Sequence, residues 1–311
     1  MGSCTVDNFI IINSKYRNIK PGDKLLIENT FTEIGGSASN SSISLAKFGL
    51  NVKIITKLGN DHNALIIRHK LNEKKIRLFY NTSEKYMTPF AIILASKNEK
   101  DRIVFAYKGA SNHLNKRDVP LREINTSWLY IGSLLDNSFK TAEEIAMHCR
   151  EKKFNVVLNP STYLARKGKK KLKKILAVTK LLVLNKEEAQ YMLEKKHSDR
   201  ELLKEIKRLG PEIVIITDGK NPIHAIDQSH IYKLKPYKVK VLSTLGAGDA
   251  FAAGFLGSYI KTKNIKLSLK IGAANSAAVL QHYGATTGTL SYKHAFAYVK
   301  KHSLRIQEFS I

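Results

Sequence analysis

The sequence is poor in cysteine, proline and tryptophan, with 2, 7 and 1 of these residues among 311. Cys4 and Cys149 are too few and too far apart for a disulfide framework or a paired-cysteine zinc site, so we expect a reducing, cytoplasmic compartment. The apolar runs stay well short of the roughly 18 residues that a membrane-spanning helix needs. The start also lacks the basic segment and apolar stretch of a secretory signal. We therefore expect no membrane partner.

Acidic residues are scarce as well. The chain has 26 Asp and Glu but 52 Lys and Arg, which gives a formal charge of +26. Such an excess raises nucleic acid, a membrane surface or an anionic substrate as partners. Only 11 of the 52 cations are arginine, whereas surfaces that read bases favour the planar arginine fork. The densest basic run, 166–174, fits a solvated helix that covers an apolar stripe of Leu172, Ile175 and Leu176. Nucleic acid is therefore the less favoured partner despite the charge.

Short, β-branched apolar runs alternate with segments of helical period from Trp128 onward. This alternation predicts an α/β fold with a parallel sheet covered on both faces. The predicted strands in this part are 128–131, 156–158, 181–184 and 213–216, and the predicted helices are 141–153, 166–178, 186–194, 200–209, 246–261, 265–282 and 292–302.

The segment 77–108 differs because three strand-like runs follow one another with no helix between them. This pattern is typical of an antiparallel flap. A further strand-like piece near the start, interrupted by Pro21-Gly22-Asp23, can join the flap from a distance in sequence. We therefore predict a single domain over 1–311, with a discontinuous β lid formed by about 9–33 and 77–108.

The strongest chemical signal is the turn 243–249, which leads from an apolar run into a helix rich in Ala and Phe. The backbone N–H groups of Gly246, Ala247 and Gly248 face outward at the positive end of the helix dipole, which makes an anion site. Asp249, in the first helical turn, can accept a proton from an attacking hydroxyl. The spacing matches neither a Walker P-loop nor a dinucleotide fingerprint. A tight turn followed by a helix-capping charge is the simpler alternative.

A second signal is Gly35-Gly36 followed by Asn40. Paired glycines let a ligand approach the backbone closely, and the Asn40 amide can both donate to and accept from vicinal hydroxyls. Alone this pattern is weak, because Ser and Asn also cap helices.

Together the two segments resemble the signature motifs of the PfkB-type carbohydrate kinase family, also called the ribokinase family. Gly-Gly-x3-Asn precedes a helix that ends in Phe48-Gly49, and Thr-x-Gly-Ala-Gly-Asp follows about 200 residues later. Intermediate markers agree in order over nearly the whole chain: they are Gly2-Ser3 with Asp7, 57–61, 107–110, Asn185 with Glu188, 217–219, and Asn275 with Gly284-Ala285.

The resemblance implies a three-layer α/β/α fold with a mainly parallel central sheet and a small β-sheet lid. It also implies transfer of the γ-phosphoryl group of ATP to a hydroxyl of a sugar or sugar-like small molecule, with Mg²⁺ as cofactor. A nucleoside kinase of the adenosine, inosine or cytidine type is the alternative on the same fold. A nucleic-acid-binding protein on a degenerate kinase scaffold is a minor alternative. Relatives also imply that a homodimer through the lid is possible.

The resemblance assigns residue roles too. Asp249 is the implied base. Glu188 and Asn185 are implied to orient magnesium and its waters. Considered alone, Glu188 is also explained as an acidic charge in the first turn of a helix. Lys108 is implied to reach the substrate, with a solvated lid lysine as the alternative. The implied catalytic positions are Asp249, Gly246, Ala247 and Gly248; the substrate positions are Asp7, Gly35, Gly36, Asn40 and Lys108; the nucleotide positions are Asn185, Thr217, Gly219, Thr244 and Asn275.

Two departures from the family pattern carry consequences. Many members have Asp immediately before the Thr of the second motif, where it helps to build a monovalent-cation site, and this chain has Ser243 there. Potassium activation is therefore in doubt. Members also have a hydrophobic strand before the first Gly-Ser pair, whereas this chain reads Met1-Gly2-Ser3 at that point. A missing first strand would leave a gap in the sheet, so either the given sequence starts late or the sheet is shortened.

Overall fold

The computed structural model describes residues 1–99 and 102–311, so Lys100 and Asp101 of the predicted lid lie outside the described residues. The strands are β1 (Thr5–Ile12), β2 (Asn29–Gly35), β3 (Lys53–Gly59), β4 (Arg77–Ser83), β5 (Phe90–Ser96), β6 (Arg102–Tyr107), β7 (Trp128–Ile131), β8 (Asn155–Leu158), β9 (Thr179–Asn185), β10 (Ile213–Asp218), β11 (Asn221–Ile226), β12 (His230–Leu234) and β13 (Ile306–Ser310). The helices are α1 (Ser37–Lys47), α2 (His62–Glu73), α3 (Asp136–Glu151), α4 (Thr162–Ala165), α5 (Gly168–Val178), α6 (Lys186–Leu193), α7 (Asp199–Lys207), α8 (Ala247–Thr262), α9 (Ile265–Val279) and α10 (Tyr292–Lys301).

The central sheet has the strand order β13-β12-β11-β10-β9-β8-β7. Strands β7 to β10 are parallel, as predicted, because helices connect them. Strands β10 to β13 are antiparallel. The connection between β10 and β11 holds only Gly219 and Lys220, which is too short for a helical crossover. The expectation of a mainly parallel sheet therefore holds for the β7–β10 half alone.

The sheet is covered on both faces, which makes three layers. Alternate residues of each parallel strand enter opposite apolar clusters, as the period of two requires: Val214 and Ile216 pack on one side, Ile213 and Ile215 on the other. Helices α3, α5, α6 and α7 contribute to the first cluster, and α8, α9 and α10 to the second. The predicted stripe of Leu172, Ile175 and Leu176 is fully buried in the first cluster, so the lysines of α5 cover a helix that packs on the core.

The lid is a four-stranded sheet with the order β2-β1-β5-β6. Two parts of the lid prediction are wrong. Strand β4 pairs in parallel with β3 in a separate two-stranded sheet, because α2 connects these two strands as a crossover. Residues 13–28 contain no strand, and Leu26 in this segment is 91% exposed. Pro21 and Gly22 make a turn there that interrupts strand pairing.

The predicted gap in the sheet lies between β3 and β7. Among the described residues β3 pairs only with β4 and β7 only with β8, so one edge of each is open. Met1 bridges the gap at one end: its amino group donates to the Tyr130 carbonyl at 2.6 Å, and Gly132 N–H donates to the Met1 carbonyl at 2.9 Å. Gly2 N–H donates to the Ile55 carbonyl at 3.4 Å. The rest of the gap is a cavity of about 510 Å³.

Within the described ranges, the helices are too short or too polar to cross a membrane.

Candidate active site

A second cavity, of about 380 Å³, lies beneath the lid at the carboxyl ends of β8, β9 and β10. Carboxyl ends of parallel strands are where open α/β sheets bind ligands. Predicted residues from well-separated parts of the chain meet in its wall, namely Asp7, Gly36, Asn40, Lys108, Asn185, Glu188, Thr217, Gly246, Gly248 and Asp249.

The amino end of α8 opens into this cavity. Gly246 precedes the helix in a left-handed conformation (φ 76°), and a Cβ here would overlap the Ala285 carbonyl, so the turn requires glycine. The first-turn amides have no acceptor within the helix and are free for an anion. Space is open around Gly248. Ala247 is the weakest of the three predicted amides, because its N–H approaches the Thr244 carbonyl at 3.4 Å.

Asp249 is held in place by Asn40. Asn40 Nδ2 donates to Asp249 Oδ2 at 2.9 Å. Burial raises the pKa of Asp249 to about 6, and the bond from Asn40 opposes that rise. Asn40 is 7% exposed, and among the described residues no donor reaches its Oδ1. That oxygen is therefore available to a ligand hydroxyl.

Asp7, on β1, also lines the cavity. Thr5 Oγ1 donates to Asp7 Oδ1 at 2.8 Å, and a Cβ at Gly35 would overlap the Asp7 carboxylate, so Gly35 makes room for this side chain. Burial raises the pKa of Asp7 to about 6, which the nearby Lys108 ammonium partly offsets. Burial in turn lowers the pKa of Lys108, whose Nζ lies 5.6 Å from the Tyr163 ring centroid.

Asn185 and Glu188 form a capping box at the start of α6. Asn185 Oδ1 accepts from Glu188 N–H at 2.8 Å, and Asn185 N–H donates to Glu188 Oε2 at 3.0 Å. Thr162 Oγ1 donates to Glu188 Oε1 at 3.3 Å. Burial, aided by the charge of Asp249, raises the pKa of Glu188 to about 7. Glu188 therefore caps the amino end of α6, as expected for a charge in the first turn of a helix. Its carboxylate also lines the cavity.

Five predicted residues are absent from the cavity wall, and Ala247, described above, is one of them. Gly35 lies behind Asp7, Gly219 lies in the β10–β11 turn with φ 52°, and Thr244 accepts a hydrogen bond from Arg102. Asn275 is completely buried: it donates to Ser44 Oγ and the Ala250 carbonyl and accepts from Leu290 N–H. These bonds tie α1, α8 and α9 together behind the site.

Sequence reasoning missed several residues of the cavity wall. Ser133 and Asn159 follow the ends of β7 and β8, and Ser161 and Tyr163 continue from Asn159. Ser133 Oγ donates to Ser161 Oγ at 2.8 Å, and Asn159 Nδ2 donates to Tyr130 Oη at 2.9 Å. The sequence signal for Ser133 and Asn159 was a polar residue within two positions of the end of an apolar strand, at the sheet edge where β9 and β10 also end.

A cavity beneath a lid, with the amino end of a helix and a buried carboxylate in its wall, is typical of a phosphotransferase that acts on small molecules. The model of the pfkB family carbohydrate kinases matches residues 2–291, so the chain belongs to that family. Its members transfer a phosphoryl group from ATP to a hydroxyl of a sugar or related compound.

Individual relatives agree with this membership. The chain is 27% identical over 273 residues to the ATP-dependent 6-phosphofructokinase of Thermoanaerobacterium thermosaccharolyticum, covering 85% of this chain and 84% of the relative. It is 25% identical to the nucleoside kinase of Methanocaldococcus jannaschii, covering 92% and 91%. Among solved structures, ribokinase from Thermotoga maritima superposes with a TM-score of 0.83 at 20% identity, covering 96% and 97%, which shows the same fold.

Proposed function

We propose that the protein phosphorylates a hydroxyl of a sugar or sugar-like small molecule, with Asp249 as the general base. The single observation that carries this proposal is the position of Asp249, on the cavity side of the α8 amino end and hydrogen-bonded to Asn40. The acceptor oxygen attacks the γ-phosphorus, its proton passes to Asp249, and the bond to the bridging oxygen of ADP breaks. The amides of Gly246, Ala247 and Gly248 then donate to the oxygens of the phosphoryl group.

The acceptor half of the site is proposed to consist of Asp7, Gly36, Asn40 and Lys108. Asp7 and Asn40 Oδ1 supply buried acceptors for substrate hydroxyls. An analogue that lacks those hydroxyls would leave the buried acceptors unpaired, which disfavours it. Gly35 supports this wall by leaving space for Asp7.

The nucleotide half is proposed to lie along Asn185, Thr217 and Thr244, with Gly219 and Asn275 shaping it from behind. We further propose Mg²⁺ as cofactor, held near Glu188 and Asn185. Within the described ranges, no group of three His, Cys, Asp or Glu side chains is arranged to hold a metal ion, and magnesium characteristically keeps several waters and is bound largely by substrate phosphates. When bound, the ion neutralises charge on the triphosphate.

A nucleoside is the second candidate substrate. Its specific support is aromatic: Phe90, Tyr107 and Tyr163 line the cavity and offer flat surfaces to a base. The M. jannaschii nucleoside kinase is among the relatives.

The deciding experiment is an acceptor panel of ribose, fructose, fructose 6-phosphate, hexulosonates, inositol, adenosine, inosine and cytidine, each with ATP and Mg²⁺. Asp249→Asn on the best acceptor should lower kcat by about 10² to 10⁴. Near-normal turnover of a folded Asp249→Asn protein would refute the proposed base. Turnover of none of these acceptors would remove the sugar and nucleoside assignments together.

We also propose homodimerisation through the lid. Its outer face carries Ile92, Ile103 and Phe105, which are 36%, 37% and 59% exposed. Contiguous exposed apolar side chains of this kind typically mark a protein interface. Sedimentation of the wild type and of Phe105→Lys tests this: the wild type should be dimeric and the variant monomeric, and a monomeric wild type would refute the proposal.

A reducing, cytoplasmic location is proposed as well, because Cys4 and Cys149 are both buried free thiols.

A further inference from the structure

Asn159 reaches the active-site cavity from the end of β8, and Tyr130 holds its side chain there. Asn159 directly follows β8, and its backbone N–H donates to the Ile131 carbonyl at 2.9 Å, which fixes its main chain to β7. Its side-chain Nδ2 donates to Tyr130 Oη at 2.9 Å. Asn159 lines the cavity, whereas Tyr130 is buried among the apolar side chains on the α8 side of the sheet. The amide is therefore held at both its backbone and its side chain.

The bond to Tyr130 fixes which atom of the Asn159 amide is left for a ligand. A primary amide has two N–H donors on its nitrogen and an acceptor oxygen. Because Nδ2 is directed to the buried phenol, Oδ1 remains for the cavity that Asn159 lines. Within residues 1–99 and 102–311 no donor reaches Asn159 Oδ1. This oxygen is therefore available to a hydroxyl of a bound molecule.

The same arrangement occurs at Asn40. There Nδ2 donates to Asp249 Oδ2, and no donor of the described part of the chain reaches Oδ1. Each amide thus has one donor fixed by a protein partner and keeps its oxygen for a ligand. Asp7 adds a buried carboxylate to the wall of the same cavity. Acceptor oxygens from three separate elements therefore line one cavity, which suits a ligand with several hydroxyl donors.

Tyr130 lies near the proposed base. Burial, followed by the charge of Asp249, raises the pKa of the Tyr130 phenol well above its ordinary value. The contribution of Asp249 requires the two groups to be close, because electrostatic interactions weaken with distance. The pair of Tyr130 and Asn159 is therefore on the side of the cavity where Asp249 is proposed to meet the hydroxyl that is phosphorylated.

We propose that Asn159 Oδ1 accepts a hydrogen bond from a further hydroxyl of the phosphoryl acceptor, and that Tyr130 is the positioning residue that holds the amide in this orientation. Tyr130 acts through Asn159 and not on the substrate itself. The inference rests on the proposed function and narrows its substrate class, since the acceptor must carry a hydroxyl for Asn159 in addition to the one that attacks.

The test compares Tyr130→Phe and Asn159→Ala with a control, Tyr237→Phe, on the best acceptor of the panel. Tyr237 matches Tyr130 because both are 9% exposed in the same apolar cluster, and its phenol has no partner among the described residues. We expect Tyr130→Phe and Asn159→Ala each to raise the acceptor KM about 3- to 10-fold, as for loss of one hydrogen bond, with kcat nearly unchanged. Tyr237→Phe should match the wild type in both constants.

The double variant Tyr130→Phe/Asn159→Ala separates positioning from packing. If Tyr130 acts through Asn159, the double variant should have the acceptor KM of Asn159→Ala alone, whereas independent effects would multiply. Monodeoxy analogues of the acceptor give a direct readout of the contact. One analogue should bind the wild type more weakly by about the factor that Asn159→Ala causes, and its missing hydroxyl should make no difference to Asn159→Ala.

Three results would each overturn the inference: multiplying effects in the double variant, an unchanged acceptor KM in Asn159→Ala, and deoxy analogues that affect wild type and Asn159→Ala equally. A rise confined to the KM for Mg-ATP belongs to the second result, since it would assign Asn159 to the nucleotide. Asp249→Asn is measured in parallel. If it is inactive while Asn159→Ala has normal constants, this inference fails and the proposed function stands.

Discussion

Asn40 and Asp249 are 209 positions apart in the chain, and the 2.9 Å hydrogen bond between them joins the first turn of α1 to the first turn of α8. The two predicted motifs therefore meet as one unit. The amide stabilises the carboxylate form of the proposed base, and its other polar atom remains free for the acceptor.

Asn40→Ala should weaken catalysis through this bond. Loss of a hydrogen bond to a charged group costs about 1.5 to 3 kcal/mol, so kcat/KM should fall about 10- to 100-fold. The pKa of Asp249 should rise, and the acid limb of the kcat/KM profile should move to higher pH. Ser42→Ala, a buried change on the same helix, controls for packing. An unshifted pH profile in Asn40→Ala would contradict the proposed coupling.

Asp249→Asn should stabilise the folded protein at neutral and alkaline pH. The pKa of Asp249 is raised from 3.8 to about 6 in the folded state, so its contribution to stability is complete below pH 4 and is lost as the pH rises through 6. Removal of the carboxylate should therefore increase the free energy of unfolding at pH 8 by up to about 3 kcal/mol, with little effect near pH 4. Urea unfolding at both pH values measures this.

Glu201→Gln provides a control of opposite sign for that experiment. Hydrogen bonds from Ser198 lower the pKa of Glu201, so its carboxylate stabilises the fold above the ordinary pKa. Its removal should reduce stability at pH 8. Equal stability of wild type and Asp249→Asn at pH 8 would contradict the raised pKa.

The two glycines of the α8 turn should respond differently to alanine. Gly246→Ala introduces a Cβ that overlaps the Ala285 carbonyl at a positive φ, and should destabilise the protein by about 1 to 3 kcal/mol. Gly248→Ala meets open space within a helix and should leave stability unchanged or raise it by up to about 1 kcal/mol. Its methyl group should nonetheless lower kcat, because it narrows the approach of the phosphoryl group. Thermal unfolding and steady-state rates, measured on both variants, distinguish these effects.

The gap between β3 and β7 should accept one strand. We compare a chain lengthened before Met1 by about five β-branched apolar residues with one lengthened by Gly and Ser. The free energy of unfolding of the first should be higher by about 2 kcal/mol, because its added strand buries apolar side chains between two open sheet edges. Hydrogen exchange should show new protection at β3 and β7. Identical stability and exchange in the two lengthened chains would show that the gap does not bind a strand.

Potassium should not activate the enzyme. Ser243 is uncharged, and its Oγ accepts a hydrogen bond from Leu245 N–H at 3.2 Å, so no carboxylate is present at that position to attract a monovalent cation. Rates in potassium and in tetramethylammonium should agree. Ser243→Asp tests the reason, since it should introduce a dependence on potassium. Activation of the wild type by potassium would contradict this expectation.

Local patterns determined much of the fold. The apolar runs from Trp128 onward and the apolar stripe of α5 are patterns of neighbouring residues, and the structure shows them as strands and as a buried helix face. The pairing of β4 with β3 could not be predicted from such local patterns. Its sequence resembles that of the lid strands, and only the α2 crossover, which returns it beside β3, decided its sheet.

The sequence by itself determined the two motifs and their order, and it predicted an anion site at a helix start with Asp249 as the base in the first turn, because both features are local. Only the tertiary structure decided which partners these groups meet. It brought Asn40 to Asp249, moved Asn275 into the core and set Arg102 against Thr244, because contacts between distant segments depend on how sheets and helices pack.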